Sequence, residues 1–273
     1  MSETTPTNRL LSISTFSKLT GISRKNLIYY HMMGIIIPAL IKENGYRYYT
    51  YDQLNEVSIV MTLKDLEIPL KEIREYLGNI SEDSLLPIIS RQKEKIAKEL
   101  NRLNQLNYII EQRSLLVSLS KNADCTTIFL EEGHRQALFA GSEILYRDET
   151  ADRDYENFLT DADRQGLVYG YPLGIMGSYE NLILKNKNYC RFYYKIPENL
   201  KGKNTLRPAG MYVTAYDRSF LAGDGSILKK MAAYISQSNL MPQGNIYIDN
   251  ICDEITQKNT DNYLSKISIP VTS

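Results

Sequence analysis

Two groups of residues carry chemistry in this chain, and they lie at opposite ends. Near the N-terminus stand Lys18, Ser23, Arg24, Lys25, Tyr29, Tyr30, Arg47, Tyr48 and Lys64. Ammonium and guanidinium groups pair with phosphate oxygens, and hydroxyls add hydrogen bonds to the same oxygens. Residues 8–50 hold six basic side chains against the single acid Glu43, a local net of +5, while residues 121–273 hold 17 basic and 19 acidic residues, a net of −2. The whole chain is neutral, so this is a basic head on a body with no excess of positive charge. Arg24 has the chemistry to take guanine O6 and N7 together. Arg47 can grip a phosphate bidentately.

The second group is Tyr169, Tyr171, Tyr193, Tyr216, Tyr247 and Tyr263, with Asp249 beside them in sequence. The chain has 21 tyrosines and no tryptophan. Rings gathered in a cleft offer flat apolar surfaces with hydroxyl tips, suited to aromatic or cationic small molecules, and a rim acid such as Asp249 would add charge selectivity. The competing expectation is that several of these rings fill a core. Other chemistries have little to draw on. The two histidines, His31 and His134, and the three cysteines, Cys125, Cys190 and Cys252, have no metal-ligand or redox spacing, so no metal and no cofactor is expected. The thiols suit a reducing cytoplasm. Glu131, Glu132, Glu143 and Glu254 are the acids a hydrolase could use, but no base–nucleophile pairing accompanies them, and the chain is not expected to be an enzyme. No apolar run reaches the ~18 residues that crossing a membrane needs.

The elements that must position these groups follow from local pattern. Residues 1–9 read as a loose tail. A short helix over residues 15–19 meets Gly21, and Ser23 caps a second helix over residues 24–33, with Gly34 just past its end. Two short helices joined by a glycine turn make a helix-turn-helix. Asn44-Gly45 between the apolar run at residues 35–38 and Tyr46-Arg47-Tyr48-Tyr49 predicts a hairpin with a type I′ turn, a wing. Thr50 and Gln53 form a capping box for a helix over residues 51–66, and Pro69 to Gly78 bound a fourth. Ile89, Ile96, Leu103, Ile110 and Val117 then recur every seven residues, which predicts a helix near 30 residues (about 45 Å) with a partner helix along that stripe, the other reading being that the stripe packs on the chain's own C-terminal domain. The remainder alternates as strands over residues 126–130, 136–142, 181–184, 189–196, 211–216, 245–248 and 265–271, with helices over 152–165 and 226–238. The fold class is therefore α+β, with a winged helix-turn-helix over residues 1–80, a long dimerisation helix over 81–120 and an antiparallel α+β domain over 121–273. The order strand–helix–strands occurs twice in that last domain, as in a duplicated unit.

Residues 10–120 resemble the MerR family of regulators, on Ser17-Lys18-Leu19-Thr20-Gly21-Ile22-Ser23, Leu27-Ile28-Tyr29-Tyr30, Gly34-Ile35, Tyr46-Arg47-Tyr48-Tyr49, Leu63-Lys64 and Ile68-Pro69-Leu70. The C-terminal part is similar to the gyrase-inhibitor-like effector domains of the multidrug-sensing branch, on Arg207-Pro208-Ala209-Gly210-Met211-Tyr212, Ala215-Tyr216, Gly244-Asn245-Ile246-Tyr247 and Ile269-Pro270-Val271. The resemblance implies an antiparallel coiled-coil homodimer on double-stranded promoter DNA, distorting it for RNA polymerase in response to a small lipophilic ligand. Two positions depart from the pattern. Ile28 stands where the family carries an arginine to the DNA backbone, leaving Arg24 and Lys25 as neighbouring cations. Ile248 stands where the branch carries the acid that meets cationic drugs. A regulator whose C-terminal domain binds no small molecule is the alternative, with a hydrolase-type effector domain behind it.

Overall fold

The computed structural model describes residues 10–145, 149–184, 189–200, 203–218, 226–253, 255–259 and 262–273. The expected tail and Glu254 lie outside them. The chain divides into two compact units, Met1–Leu100 and Asn101–Ser273. The connecting helix is thus no separate body; it is shared between the two.

The first unit begins with β1 (Leu11–Ser12), α1 (Ile13–Thr20) and α2 (Arg24–Met32). Ser12 Oγ accepts from the Thr15 amide at 3.2 Å and Ser23 Oγ from the Asn26 amide at 3.1 Å, so each helix opens on a serine cap. Gly21 (φ 73°) makes the turn between them and Gly34 (φ 69°) leaves α2. The wing differs from expectation. Ile35 and Ile36 are buried in the core rather than extended. The strand that pairs with β3 (Arg47–Tyr49) is β2 (Leu40–Ile41), and β1 lies on the other side of β3. The Lys42 amide donates to the Tyr46 carbonyl and the Gly45 amide to the Lys42 carbonyl, closing a three-residue loop in which Gly45 (φ 79°) but not Asn44 is left-handed. That is the glycine-terminated turn, not the type I′ pair. α3 (Gln53–Asp65) starts two residues late, with half of the capping box made: Gln53 Oε1 accepts from the Thr50 amide at 3.2 Å. α4 (Leu70–Leu77) follows Pro69. Phe16 stacks on Tyr49 at 4.3 Å in a core with Leu27, Tyr30, Ile36, Val60 and Ile73.

α5 (Glu82–Asn122) is 41 residues long, about 60 Å, well past the expected 30. Ser81 and Ser84 cap its start reciprocally, each hydroxyl accepting from the other's amide at 3.1 and 3.2 Å.

The second unit is built on an antiparallel sheet of β4 (Ile128–Gly133), β5 (Gln136–Ala140), β7 (Leu173–Ser178), β8 (Tyr189–Lys195), β9 (Thr205–Arg207), β10 (Gly210–Asp217), β12 (Asn245–Cys252) and β13 (Leu264–Thr272), with β6 (Ile144–Leu145) and β11 (Met241–Pro242) as short additions. Its order is β4-β10-β13-β12-β7-β8-β5-β9. With α6 (Ala151–Arg164) and α7 (Ser226–Gln237), the halves β5-α6-β7-β8 and β10-α7-β12-β13 arrange their strands alike, last strand between first and second. The suspected duplication is therefore present in topology. The expected strand over residues 181–184 is instead a π-helical turn, Glu180–Leu184, opened by Ser178 Oγ accepting from the Asn181 amide at 3.1 Å.

Alternation sorts the sheet into two faces. One carries Phe139, Phe192, Val213, Ala215, Ile246, Ile248, Ile267 and Ile269, covered by Phe158 of α6 and by Met231 and Ile235 of α7. This is the core. The other face is the candidate site. Among the described residues no helix is long and apolar enough to cross a membrane.

Candidate functional site

In the first unit the basic residues are spread over α1, α2, β3 and α3. Lys18, Ser23, Arg24, Lys25 and Lys64 are exposed, and Arg24 and Lys25 occupy the first turn of α2, free of the core. Arg47 Nε donates to His31 Nδ1 at 3.2 Å, which ties the wing to the last turn of α2. Lys42 Nζ lies 4.8 Å from the centre of the half-buried Tyr48 ring. The tyrosine pair splits. Tyr29 is exposed, whereas Tyr30 is 3% exposed inside the core and is set aside as a DNA contact. Ile28 is half-buried beside them.

α5 presents two different faces. In its second half Ile109 and Leu116 are buried, Gln105 accepts from the Tyr171 hydroxyl at 3.2 Å, and Arg113 pairs with Asp253. The heptad line is not among these. Ile89, Ile96, Leu103, Ile110 and Val117 are all exposed, from 41% at Ile89 to 67% at Ile110.

The remaining face of the sheet in the second unit is buried yet polar. Residues directly opposite in neighbouring strands point the same way, and the register aligns Glu131 with Tyr212, Thr214 with Ser268, Ser268 with Tyr247, Lys266 with Asp249, and Tyr193 with Gly174. Tyr193, Tyr212 and Tyr247 form a box with Leu138, Ala140 and Met176. Tyr247 meets the other two rings edge-on at 6.1 and 6.4 Å. Glycines make room for the rings. A Cβ on Gly133 would sit 2.5 Å from the Tyr212 ring, and one on Gly174 would overlap Tyr193. The guanidinium of Arg207 lies inside the box, 4.5 Å from the Tyr212 ring centre and 5.0 Å from that of Tyr247. Arg207 belongs to β9, at the far edge of the sheet from β4 and β10, so the sheet must curl for this contact to form.

Asp249 organises the charges. It accepts from the Tyr193 hydroxyl at 2.5 Å, from Lys195 Nζ at 2.7 Å and from Arg207 at 3.3 Å. Burial works to raise its pKa, but Lys195 and Arg207 outweigh burial and hold the carboxyl below the usual range. Burial, then the charge of Asp249, pushes the Tyr193 phenol well above its ordinary value, so it remains a donor. Burial raises Tyr247 to about 12. Glu131 is held by Lys266 at 2.7 Å and by the Thr214 hydroxyl at 2.9 Å.

Of the seven residues expected to line a ligand site, Tyr193, Tyr247 and Asp249 meet, and Tyr216 stands further along the same face, 6.0 Å from Lys266. Tyr169 is exposed in the loop before β7, and Tyr171 is buried in the core against Tyr194, because neither lies on a strand of the tyrosine face. Tyr263 is half-buried ahead of β13 and outside the box. Of the acids considered for hydrolysis, Glu132 and Glu143 are exposed and Glu131 is tied as described. A cleft of about 290 Å³ beside α6 is lined by Ser142, Asp154, Asp161 and Arg164, among others, and has no tyrosine in its lining.

Residues 11–80 match the family model described as MerR HTH family regulatory protein. Over 123 residues the chain is 30% identical to the HTH-type transcriptional regulator CueR of Salmonella typhimurium (strain LT2), covering 43% of this chain and 89% of that protein. The chain belongs to the MerR family. Within the MerR family it is 27% identical over 263 residues to the multidrug-efflux transporter 2 regulator of Bacillus subtilis (strain 168), covering 94% of each. Among solved structures it is similar to EcmrR in a cryo-EM complex with DNA, at 18% identity and a TM-score of 0.43, covering 96% of this chain and all of that one. As a MerR-family member, the chain is a DNA-binding transcription regulator. The departure at Ile248 has a structural account. Ile248 faces the helix-covered core opposite Ile267 and Ile175, and the acid of this strand, Asp249, is the one that faces the tyrosines. Tyr212, Arg207, Lys195 and Lys266 escaped the sequence reading. Period-two spacing to Tyr193 would have found Lys195, and spacing to Tyr216 would have found Tyr212. Arg207 had no local signal.

Proposed function

We propose that this MerR-family protein works as a homodimer on promoter DNA and senses a drug-like small molecule on the tyrosine face of its C-terminal unit, with no catalytic role. The observation that carries the reading is that face itself. Three buried tyrosine rings, a buried carboxylate and its cations occupy a sheet surface that ordinary folding would leave either wet or apolar. The 27% identical relative being named a regulator of a multidrug-efflux transporter supports the same reading. The exposed heptad line supports the dimer: a stripe of five aliphatic side chains on one long helix is the pattern of a coiled-coil seam, and the helix uses other residues to pack on its own sheet. Two heads held at a fixed separation can bend or untwist the DNA between their half-sites, which is how the ligand would alter access for RNA polymerase.

The test is calorimetric titration of the full-length protein with neutral and charged aromatic compounds, beside anisotropy measurements on its operator DNA. Binding in both assays supports the whole reading. Operator binding without any small-molecule heat supports a second reading, a regulator whose C-terminal unit binds no effector. One observation favours that second reading: Arg207 already fills the seat between Tyr212 and Tyr247.

A further inference from the structure

Among the described residues the tyrosine face carries three cations, Lys195, Arg207 and Lys266, and two acids, Glu131 and Asp249. Lys266 and Glu131 satisfy each other. What remains among the described residues is two cations, the buried Arg207 and the half-buried Lys195, on one carboxylate, a surplus of one positive charge. Asp249 has no capacity to spare for a ligand, since it already accepts from Tyr193, Lys195 and Arg207. The cation seat over the rings of Tyr212 and Tyr247 is taken by the protein's own guanidinium. Arg207 is 7% exposed, and its Nε is buried with no acceptor among the described residues. Ser268 Oγ, opposite Tyr247 on the same face, is likewise buried without a partner among the described residues. A buried donor without an acceptor and a buried unpaired charge are both costly, and one ligand group removes both.

We propose that the effector is an anion, a small aromatic compound with a carboxylate that meets Arg207 and Lys195. This rests on the sensor reading above and narrows it. A carboxylate brings two acceptor oxygens to the Arg207 edge and cancels the surplus charge, and the guanidinium fork matches it bidentately. An ammonium ligand of equal size would bring a third cation beside Lys195 and Arg207, to a face whose acids are both engaged.

The experiment uses the full-length protein and three probes sharing one ring: naphthoate, naphthamide and naphthylmethylammonium, each titrated calorimetrically at neutral pH. The expected result is that naphthoate binds at least about tenfold more tightly than the ammonium probe. Arg207→Gln and Lys195→Gln should each erase that preference, read as the ratio of naphthoate to naphthamide affinity within the same variant falling to about one. The wild-type ranking decides the question even if one variant fails to fold. An ammonium probe that binds as tightly as naphthoate overturns the charge assignment and leaves the sensor reading standing. No heat from any of the three overturns both.

Discussion

Arg207 and Asp249 form a buried ion pair at 3.3 Å, and the guanidinium that makes it also lies against the faces of two tyrosines. One side chain thus joins the charge cluster to the aromatic box. Asp249 is the counter-charge for both Arg207 and Lys195, so removing its charge leaves the buried Arg207 and the half-buried Lys195 without their shared partner. Asp249→Asn should lower stability by about 3–5 kcal/mol, read as a drop in the urea midpoint without a change in slope. The pH dependence has a definite sign. A carboxylate unfolds to a pKa of about 3.9, and the folded value lies below it. The stabilisation is therefore complete above about pH 4 and is lost as pH falls through the folded value. The stability gap between wild type and Asp249→Asn should be flat from neutral to about pH 4 and should narrow below it. A gap that narrows near pH 6 would assign the effect to another group.

Gly174 and Gly133 allow the Tyr193 and Tyr212 rings to lie across neighbouring strands. Neither has a left-handed backbone among the glycines of positive φ, so an alanine tests space alone. Gly174→Ala forces the Tyr193 ring away from Asp249 and should cost about 1–3 kcal/mol in chemical denaturation. Unchanged stability would mean that the ring can move at no cost and that the box is not tightly packed.

On the DNA side, Arg47 is held at its Nε by His31, and the bond leaves its two terminal nitrogens uncommitted to His31. Arg47→Ala should weaken operator binding and reduce the slope of log affinity against log salt by about 1, measured by anisotropy over a salt series. An unchanged slope removes Arg47 from the phosphate contacts.

Leu103 lies at the middle of the exposed heptad line. Leu103→Asp buries a carboxylate in any helix pair formed there, so sedimentation should show a shift to monomer. A dimer that survives would place the interface on another surface.

How much of this was legible depended on distance along the chain. The head is local: Ser12 and Ser23 cap their helices within three residues, and Gly21 and Gly34 turn the chain where the left-handed region is needed. The wing turn was misjudged because Asn44-Gly45 alone does not reveal which residues close the loop; the Lys42–Tyr46 pairing does. Asp249 and Ile248 were separable because alternation along one strand sends neighbours to opposite faces. Tyr171 was misplaced because it precedes its strand and alternation does not reach it. Arg207 was beyond reach, since its place depends on the curl of the sheet carrying β9 onto the rings of β10 and β12. Contacts made by curvature across many strands leave no periodic trace.

The central claim is that the tyrosine face is where a small molecule binds. The most direct measurement is calorimetric titration of wild type and Tyr247→Leu with the tightest-binding naphthalene probe, with circular dichroism to establish that the variant is folded. Wild type should bind the probe saturably, and the folded variant should lose at least tenfold in affinity, about 1.4 kcal/mol or more. Equal affinity in the two proteins would contradict that claim and move the ligand off this face.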